Sequence, residues 1–448
     1  MRFNSFKQMI GYYADVTPDA PALKYEQDGV LKTESYKELL AAVDARTEEL
    51  RAGKKTCLGL FADGSRDCIV EIFAAASAGL QTVMLDESMP TAVLRGVLPY
   101  TDIDVLWGDP ETCAELESSL TGGVEKGAGR ILFFTSGTTE RSKAVTLTEA
   151  SFCASAYNGG YLLPLAPGDT LLCMLPLAHV FGFVCGLLWG LSCGACVALG
   201  RGPRHYVDDM SFFKPTAVSV VPLLLGFLVK NGLLNEELKL VLIGAGECPE
   251  QLIQAVKAKG IRVSFGYGLT ETSSGVALSL GDDPYAMTVC PDDSITLADD
   301  GEILIFAPTC VMQGYYKDAE ATKRAISGGV LRTGDLGRFD EKGFLRITGR
   351  KKDMLVLSDG TKIFLPEAEA ELSKLLPGTD LALMLNGSRV VLALYGTEMS
   401  NEELLKAIKP YQESRPRGQQ IGSFARLSKP LPRTATGKIK RWELNNSI

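Results

Sequence analysis

Polar and apolar positions along this chain follow two periods. After Ser35-Tyr36-Lys37-Glu38, the residues Leu39, Leu40, Val43 and Leu50 recur on one helical face, and the Ser and Glu form a capping-box pattern that predicts a helix start. Shorter apolar runs, Ile131-Leu132-Phe133-Phe134 and Leu238-Lys239-Leu240-Val241-Leu242-Ile243, each end in small or glycine residues, as strands do when they deliver a loop to a ligand. Ala144-Val145-Thr146-Leu147 predicts a further strand. The alternation of helical and strand-like runs, without repeats or low-complexity tracts, predicts a layered α/β protein.

One segment imitates a membrane span. Thr170 to Gly200 carries no Asp, Glu, Lys or Arg and exceeds the ~20 residues that a spanning helix needs. Pro176, His179 and glycines 182, 186, 190 and 194 break it into short pieces, which predicts buried strands and helices and no integral membrane segment. The N-terminal residues Met1 to Lys7 run into polar sequence before an apolar stretch of signal-peptide length, and eleven cysteines scattered from Cys57 to Cys310 form no dense framework. Cys193 and Cys196 make a single CxxC pair with no second pair at zinc spacing, so a reducing, cytoplasmic setting is expected.

The 448 residues predict two or three domains. A net charge of −8 leaves no basic field for nucleic acid, which is not expected as a partner. Glycine stands out, with 46 residues, where backbone must turn tightly or approach a ligand. The cluster Gly349-Arg350-Lys351-Lys352-Asp353 marks a boundary, after which about 95 residues carry their own strand and helix signals.

The sharpest chemical signal is Phe134-Thr135-Ser136-Gly137-Thr138-Thr139-Glu140-Arg141-Ser142-Lys143. Hydroxyl donors, a glycine and a lysine after an apolar strand suit an oligophosphate cradled without bulk. The GxxxxGK[ST] order is missing and a strand rather than a helix follows, which argues against a P-loop NTPase. Taken alone, the same residues also make an ordinary hairpin turn.

Together with other motifs, this loop resembles the acyl-adenylate-forming superfamily of acyl-CoA synthetases, peptide-synthetase adenylation domains and luciferases. Gly266-Tyr267-Gly268-Leu269-Thr270-Glu271-Thr272 resembles its Tyr-Gly-x-Thr-Glu signature, Thr333-Gly334-Asp335 its Thr-Gly-Asp, Gly349 to Asp353 its hinge, and Pro432 to Ile439 its C-terminal lysine motif. These motifs fall in family order across residues 135–438, with Gly301-Glu302-Ile303 and Gly314-Tyr315-Tyr316 also matching. The resemblance implies a large N-terminal AMP-binding domain (1–349) of layered sheets and helices with a β-rich subdomain. A hinge (350–353) and a small mobile α+β C-terminal lid (354–448) would follow.

The implied reaction joins a hydrophobic, fatty or aryl carboxylic acid to the α-phosphorus of ATP, releases pyrophosphate, and passes the acyl group to CoA; Mg²⁺ is required. An anionic nucleophile attacking an anionic phosphate needs positive charge aimed at the transition state. The resemblance assigns that charge to Lys438, an α-phosphate contact to Thr270 and a metal contact to Glu271, a hard carboxylate suited to Mg²⁺. It assigns ATP binding to Thr135, Ser136, Gly137, Thr138, Thr139, Lys143, Gly246, Glu247, Tyr267, Gly268, Asp335 and Arg350. Asp335 suits a ribose diol because one carboxylate accepts from two hydroxyls. Lys352 falls at the hinge, Gly360 at the CoA arm, and His179, Phe181 and Phe183 at the acyl pocket; the readings of His179 as a core residue and Gly360 as a turn glycine stand beside these. The phosphate loop departs from the family's Gly-x-Pro-Lys-Gly continuation, with Glu140, Arg141, Ser142, Lys143 and Ala144 in those places. Two alternatives stand: loading of a phosphopantetheinyl carrier protein in place of CoA, and nucleotide binding without turnover. The particular acid and the oligomeric state are not set by the sequence.

Overall fold

The computed structural model describes residues 1–448 except 124–128, 136–142, 358–361, 388, 434–438, 440 and 446–448, and leaves out the side chains of 442 and 445. The fold is mixed α/β, as expected. Ser35 caps the helix Tyr36–Ala52 with both bonds of a capping box: Glu38 N–H donates to Ser35 Oγ, and Ser35 N–H to Glu38 Oε2 at 2.8 Å. Such a cap contributes about 1 kcal/mol. Leu39 and Val43 are buried on its inner face.

Two sheets build the body. The smaller, six-stranded among the described residues, runs Gly314–Tyr315, Ala144–Thr148, Arg130–Phe134, Gln81–Leu85, Cys57–Phe61, Val105–Trp107. Arg130–Phe134 and Ala144–Thr148 pair antiparallel, so the predicted phosphate loop is the connection of a hairpin. The larger sheet has fourteen strands among the described residues and changes character halfway. Thr170–Cys173, Ala217–Val220 and Leu240–Ile243 are parallel neighbours, buried along their whole length, which is why they read as continuous apolar runs. Leu238 lies just before the last of these strands.

Arg262–Leu269 is the point of change. Its first half pairs parallel with Leu240–Ile243, and its second half pairs antiparallel with Ser274–Ser279. Beyond it lie antiparallel strands including Val330–Phe339 and Leu345–Arg350.

The uncharged Thr170–Gly200 segment folds as strand Thr170–Cys173, π-helical turns Phe181–Leu188, helix Trp189–Ser192 and strand Cys196–Leu199. No helix among the described residues is long and apolar enough to cross a membrane. All eleven cysteines are free.

After Asp353 the chain forms the hairpin Met354–Val356/Lys362–Phe364, the helix Leu365–Leu375, and a sheet of Asp380–Asn386, Arg389–Tyr395 and Ser423–Arg426. Leu365, Leu372, Leu383, Leu392, Leu404 and Tyr411 bury into a core of their own, separate from that of the body.

Candidate active site

The hairpin Arg262–Leu269/Ser274–Ser279 carries the centre of the site. Gly268 has no freedom to be anything else, because a Cβ there would lie 1.7 Å from Ser274 O. The corner turns through Thr270–Thr272 and then through Ser273 and Ser274 at φ of 54° and 109°, a left-handed path that costs non-glycine residues of order 1–3 kcal/mol each. Hydrogen bonds fix it: Thr272 Oγ1 donates to Ser274 O at 2.8 Å, Ser273 Oγ to Cys310 O at 2.8 Å, and Met312 N–H to Glu271 O at 2.8 Å. Thr270 and Glu271 are therefore presented on a rigid corner.

Glu271 does not stand alone. Its Oε1 accepts from the Tyr315 hydroxyl at 2.7 Å, and burial together with this carboxylate pushes the Tyr315 phenol well up. Lys143 Nζ lies 4.5 Å from the centre of the Tyr315 ring, a cation–π contact. Thr135 N–H donates to Lys143 O at 3.0 Å, and Lys143 N–H to Thr135 Oγ1 at 3.3 Å, so the two ends of the phosphate loop are tied together. Ser136, Gly137, Thr138 and Thr139, with Glu140, Arg141 and Ser142, lie outside the described residues. Among the described residues no three His, Cys, Asp or Glu side chains converge on a metal position. Glu271 offers one carboxylate, a donor set that fits Mg²⁺ bound mainly by phosphates and water.

A second cluster sits beside the same end of the strand, three residues before the corner. Asp335, 3% exposed, accepts from the Tyr267 hydroxyl at 3.0 Å through Oδ2 and pairs with Arg350 Nε at 2.8 Å through Oδ1. Asp335 and Arg350 are register partners on adjacent strands. Burial raises the Asp335 carboxyl above its ordinary range against the opposing pull of Arg350 and Tyr267; Lys352 also pulls it down. Gly334, at φ 70°, makes the turn that lets its own N–H donate to Glu302 Oε1 at 3.0 Å. Burial alone would raise Glu302, but Lys351 at 3.1 Å, the Gly334 N–H and Arg332 at 2.5 Å lower it. Lys351 also pairs with Asp300 at 2.7 Å, so the first turn after Arg350 is pinned to the body through two carboxylates.

The remaining candidates are spread out. Gly246 and Glu247 lie on an exposed loop after Leu240–Ile243, next to Ala245 at φ 65°. His179 is exposed, with Nε2 3.7 Å from Asp86. Phe181 packs its ring over Gly244, where a Cβ would lie 2.7 Å from it. Phe183, by contrast, is fully buried among Phe6, Phe133 and Phe152 and belongs to the aromatic core, not to the wall of a slot. Lys438 and Gly360 lie outside the described residues. Sequence reasoning assigns no role to Tyr315 or Glu302, although both stand in motifs that match the family, Gly314-Tyr315-Tyr316 and Gly301-Glu302-Ile303.

Residues 124–316 match the model of the AMP-binding enzyme family. The chain is 28% identical over 392 residues to a 2-succinylbenzoate–CoA ligase of Listeria monocytogenes, covering 83% of this chain and 80% of that protein. It is 27% identical to a long-chain-fatty-acid–CoA ligase of Mycobacterium bovis, over 65% of this chain and 64% of the relative. In fold it matches the O-succinylbenzoate coenzyme A synthetase of Bacillus subtilis in complex with ATP and magnesium ion, with a TM-score of 0.79, 24% identity and coverage of 98% and 99%. The resemblance to the acyl-adenylate-forming superfamily is borne out in both sequence and fold.

Proposed function

We propose that this chain is an AMP-forming acid–thiol ligase that adenylates a hydrophobic carboxylic acid and transfers the acyl group to CoA. The observation that carries this reading is the single strand Arg262–Leu269. It brings a ribose-type acceptor (Asp335, held by Tyr267 and Arg350) and a phosphate-type corner (Thr270, Glu271, with Tyr315 and Lys143) to one side of the molecule. Asp335 would accept from the ribose hydroxyls, Thr270 would donate to the α-phosphate, and Glu271 would hold Mg²⁺ against the phosphates. When bound, Mg²⁺ neutralises charge on the phosphate oxygens. Lys143 and the loop 136–142 would meet the β- and γ-phosphates.

In the first step a carboxylate oxygen bonds to the α-phosphorus as the bond to pyrophosphate breaks, with Lys438 supplying positive charge. In the second, a thiolate bonds to the acyl carbon and AMP leaves with the electron pair. The two steps need different neighbours at the acyl phosphate. Residues 354–448, as a lid turning about 350–353, would supply Lys438 first and room for the pantetheine arm beside Gly360 afterwards. The free cysteines suit a reducing cytoplasm.

The test is pyrophosphate exchange with a panel of carboxylic acids, followed by thioester detection with CoA. Exchange that depends on acid and Mg²⁺ and falls at least 100-fold in Lys438→Ala and Glu271→Gln is expected. Acid-independent exchange, or rates unaltered by both substitutions, would overturn the reading.

A further inference from the structure

The corner at Thr270 and Glu271 follows a strand of the larger sheet, whereas the phosphate loop joins two strands of the smaller one. Residues 312–316 stitch the two together. Met312 N–H donates to Glu271 O at 2.8 Å, Gln313 N–H to Thr146 O at 2.9 Å, and Tyr316 N–H to Ala144 O at 2.7 Å. Between them the strand Gly314–Tyr315 pairs with Ala144–Thr148, which places Tyr315 opposite Val145, two residues after Lys143. On its other side Tyr315 N–H donates to Thr322 Oγ1 at 2.9 Å. A backbone held from both sides aims the Tyr315 side chain at the corner.

Two oppositely charged groups meet at this one side chain. The hydroxyl donates to Glu271 Oε1 at 2.7 Å. An ionised carboxylate has no proton to give, so the direction of that bond is fixed and Oε2 is left for another partner. Lys143 Nζ lies 4.5 Å from the ring centre, where the π face attracts a cation without bearing a formal charge. Lys143 and Glu271 thus share a neighbour, yet they form no ion pair with each other. A lysine within reach of a carboxylate ordinarily closes on it.

The next residue shows that ordinary outcome. Tyr316 donates to Asp102 Oδ2 at 2.7 Å, and Lys317 Nζ, 5.5 Å from the centre of the Tyr316 ring, closes on the same Asp102 at 2.7 Å. Side by side on one strand, therefore, stand a tyrosine, carboxylate and lysine that are mutually neutralised and a second such set that is kept open.

We propose that Tyr315 is the positioning residue of the metal carboxylate: its hydroxyl holds Glu271 with one oxygen free for Mg²⁺, and its ring holds Lys143 apart from that carboxylate. The inference rests on the ligase reading above and deepens it. Mg²⁺ demands near-ideal octahedral geometry and takes few protein carboxylates at a phosphate site, so the orientation and availability of Glu271 decide how well it is held. A group that hydrogen-bonds such a carboxylate is worth roughly 10- to 100-fold in metal affinity.

The test measures binding of α,β-methylene-ATP to the full chain by calorimetry, with Mg²⁺ and with EDTA, and takes the ratio of the two dissociation constants as the contribution of the metal. Tyr315→Phe, which keeps the ring, should lower that ratio about tenfold and raise the Mg²⁺ concentration for half-maximal pyrophosphate exchange by a similar factor. Tyr315→Leu removes the ring as well and frees the lysine to occupy Glu271. Adding Lys143→Gln to Tyr315→Leu should then recover the ratio by about threefold or more, since any direct contact of Lys143 with phosphate is common to both constants. Tyr316→Phe should leave the ratio within about twofold of wild type. A ratio unmoved by Tyr315→Phe, an equal fall in Tyr316→Phe, or no recovery from Lys143→Gln overturns this inference, and the ligase reading stands as long as exchange depends on acid and on Lys438. No exchange with any acid above the Lys438→Ala background overturns both.

Discussion

Asp335 separates function from stability in a measurable way. Its carboxyl is buried, and burial raises it above the ordinary carboxylate range despite Arg350 and Tyr267. A carboxyl raised on folding contributes stability that is complete below its unfolded value near 3.9 and is lost as pH rises through the folded value. Once ionised, Asp335 is therefore a net burden on the fold. Asp335→Asn removes that burden, keeps an oxygen for the Tyr267 hydroxyl, and forfeits an Arg350 pair worth at most about 1 kcal/mol because the guanidinium side is 43% exposed. Stability in urea at pH 7.5 should be unchanged or up by about 1 kcal/mol, and the difference from wild type should fall as pH drops.

Nucleotide binding should move the other way. Two ribose hydroxyls would meet a neutral acceptor instead of a charged one, a loss of about 1–1.5 kcal/mol per bond and about 2–3 kcal/mol in all. That is roughly a 30- to 150-fold rise in KM for ATP in pyrophosphate exchange. A variant destabilised by more than about 2 kcal/mol would refute the electrostatic argument. A KM for ATP within threefold of wild type would refute the ribose assignment.

Asp293 offers a second pH test. Burial, with Asp292 nearby, pushes its carboxyl up to about 7, and its Oδ1 is buried without a partner. By the same sign, its stability contribution is lost as pH rises from about 4 through 7. Asp293→Asn, which keeps the Asn158 hydrogen bond, should stabilise the protein at pH 8, and its advantage should narrow by about 2–3 kcal/mol at pH 5. A constant gap in urea melts at the two pH values would count against this. Gly268→Ala should cost about 3 kcal/mol or more, because the new methyl group meets a backbone oxygen that cannot rotate away; a wild-type Tm would contradict the close approach.

Local patterns carried far in this sequence. Ser35 and Glu38 are three apart and form the cap they suggest, and the apolar stretch before Thr135 is a strand whose hairpin partner was also foreseen. Tyr267, Thr270, Glu271 and Asp335 likewise fall together. What stayed hidden depends on distance along the chain. The bond from Tyr315 to Glu271 spans 44 residues, and Lys351 reaches Glu302 across 49. No local period encodes such pairs, since they arise from sheet order. Phe181 and Phe183 show a different gap: two phenylalanines two residues apart read alike as apolar, yet one lies over a glycine near the site and the other fills the aromatic core.

The double membership of Arg262–Leu269 has a consequence for how the site can move. Because its first four residues are hydrogen-bonded into the buried parallel ladder, the amides beneath Tyr267 should be among the slowest in the molecule to exchange with solvent. Opening the corner at Thr270 and Glu271 by swinging this strand would mean unzipping the centre of the largest sheet. The strand thus acts as a fixed datum, and conformational work during turnover falls to elements suspended from it.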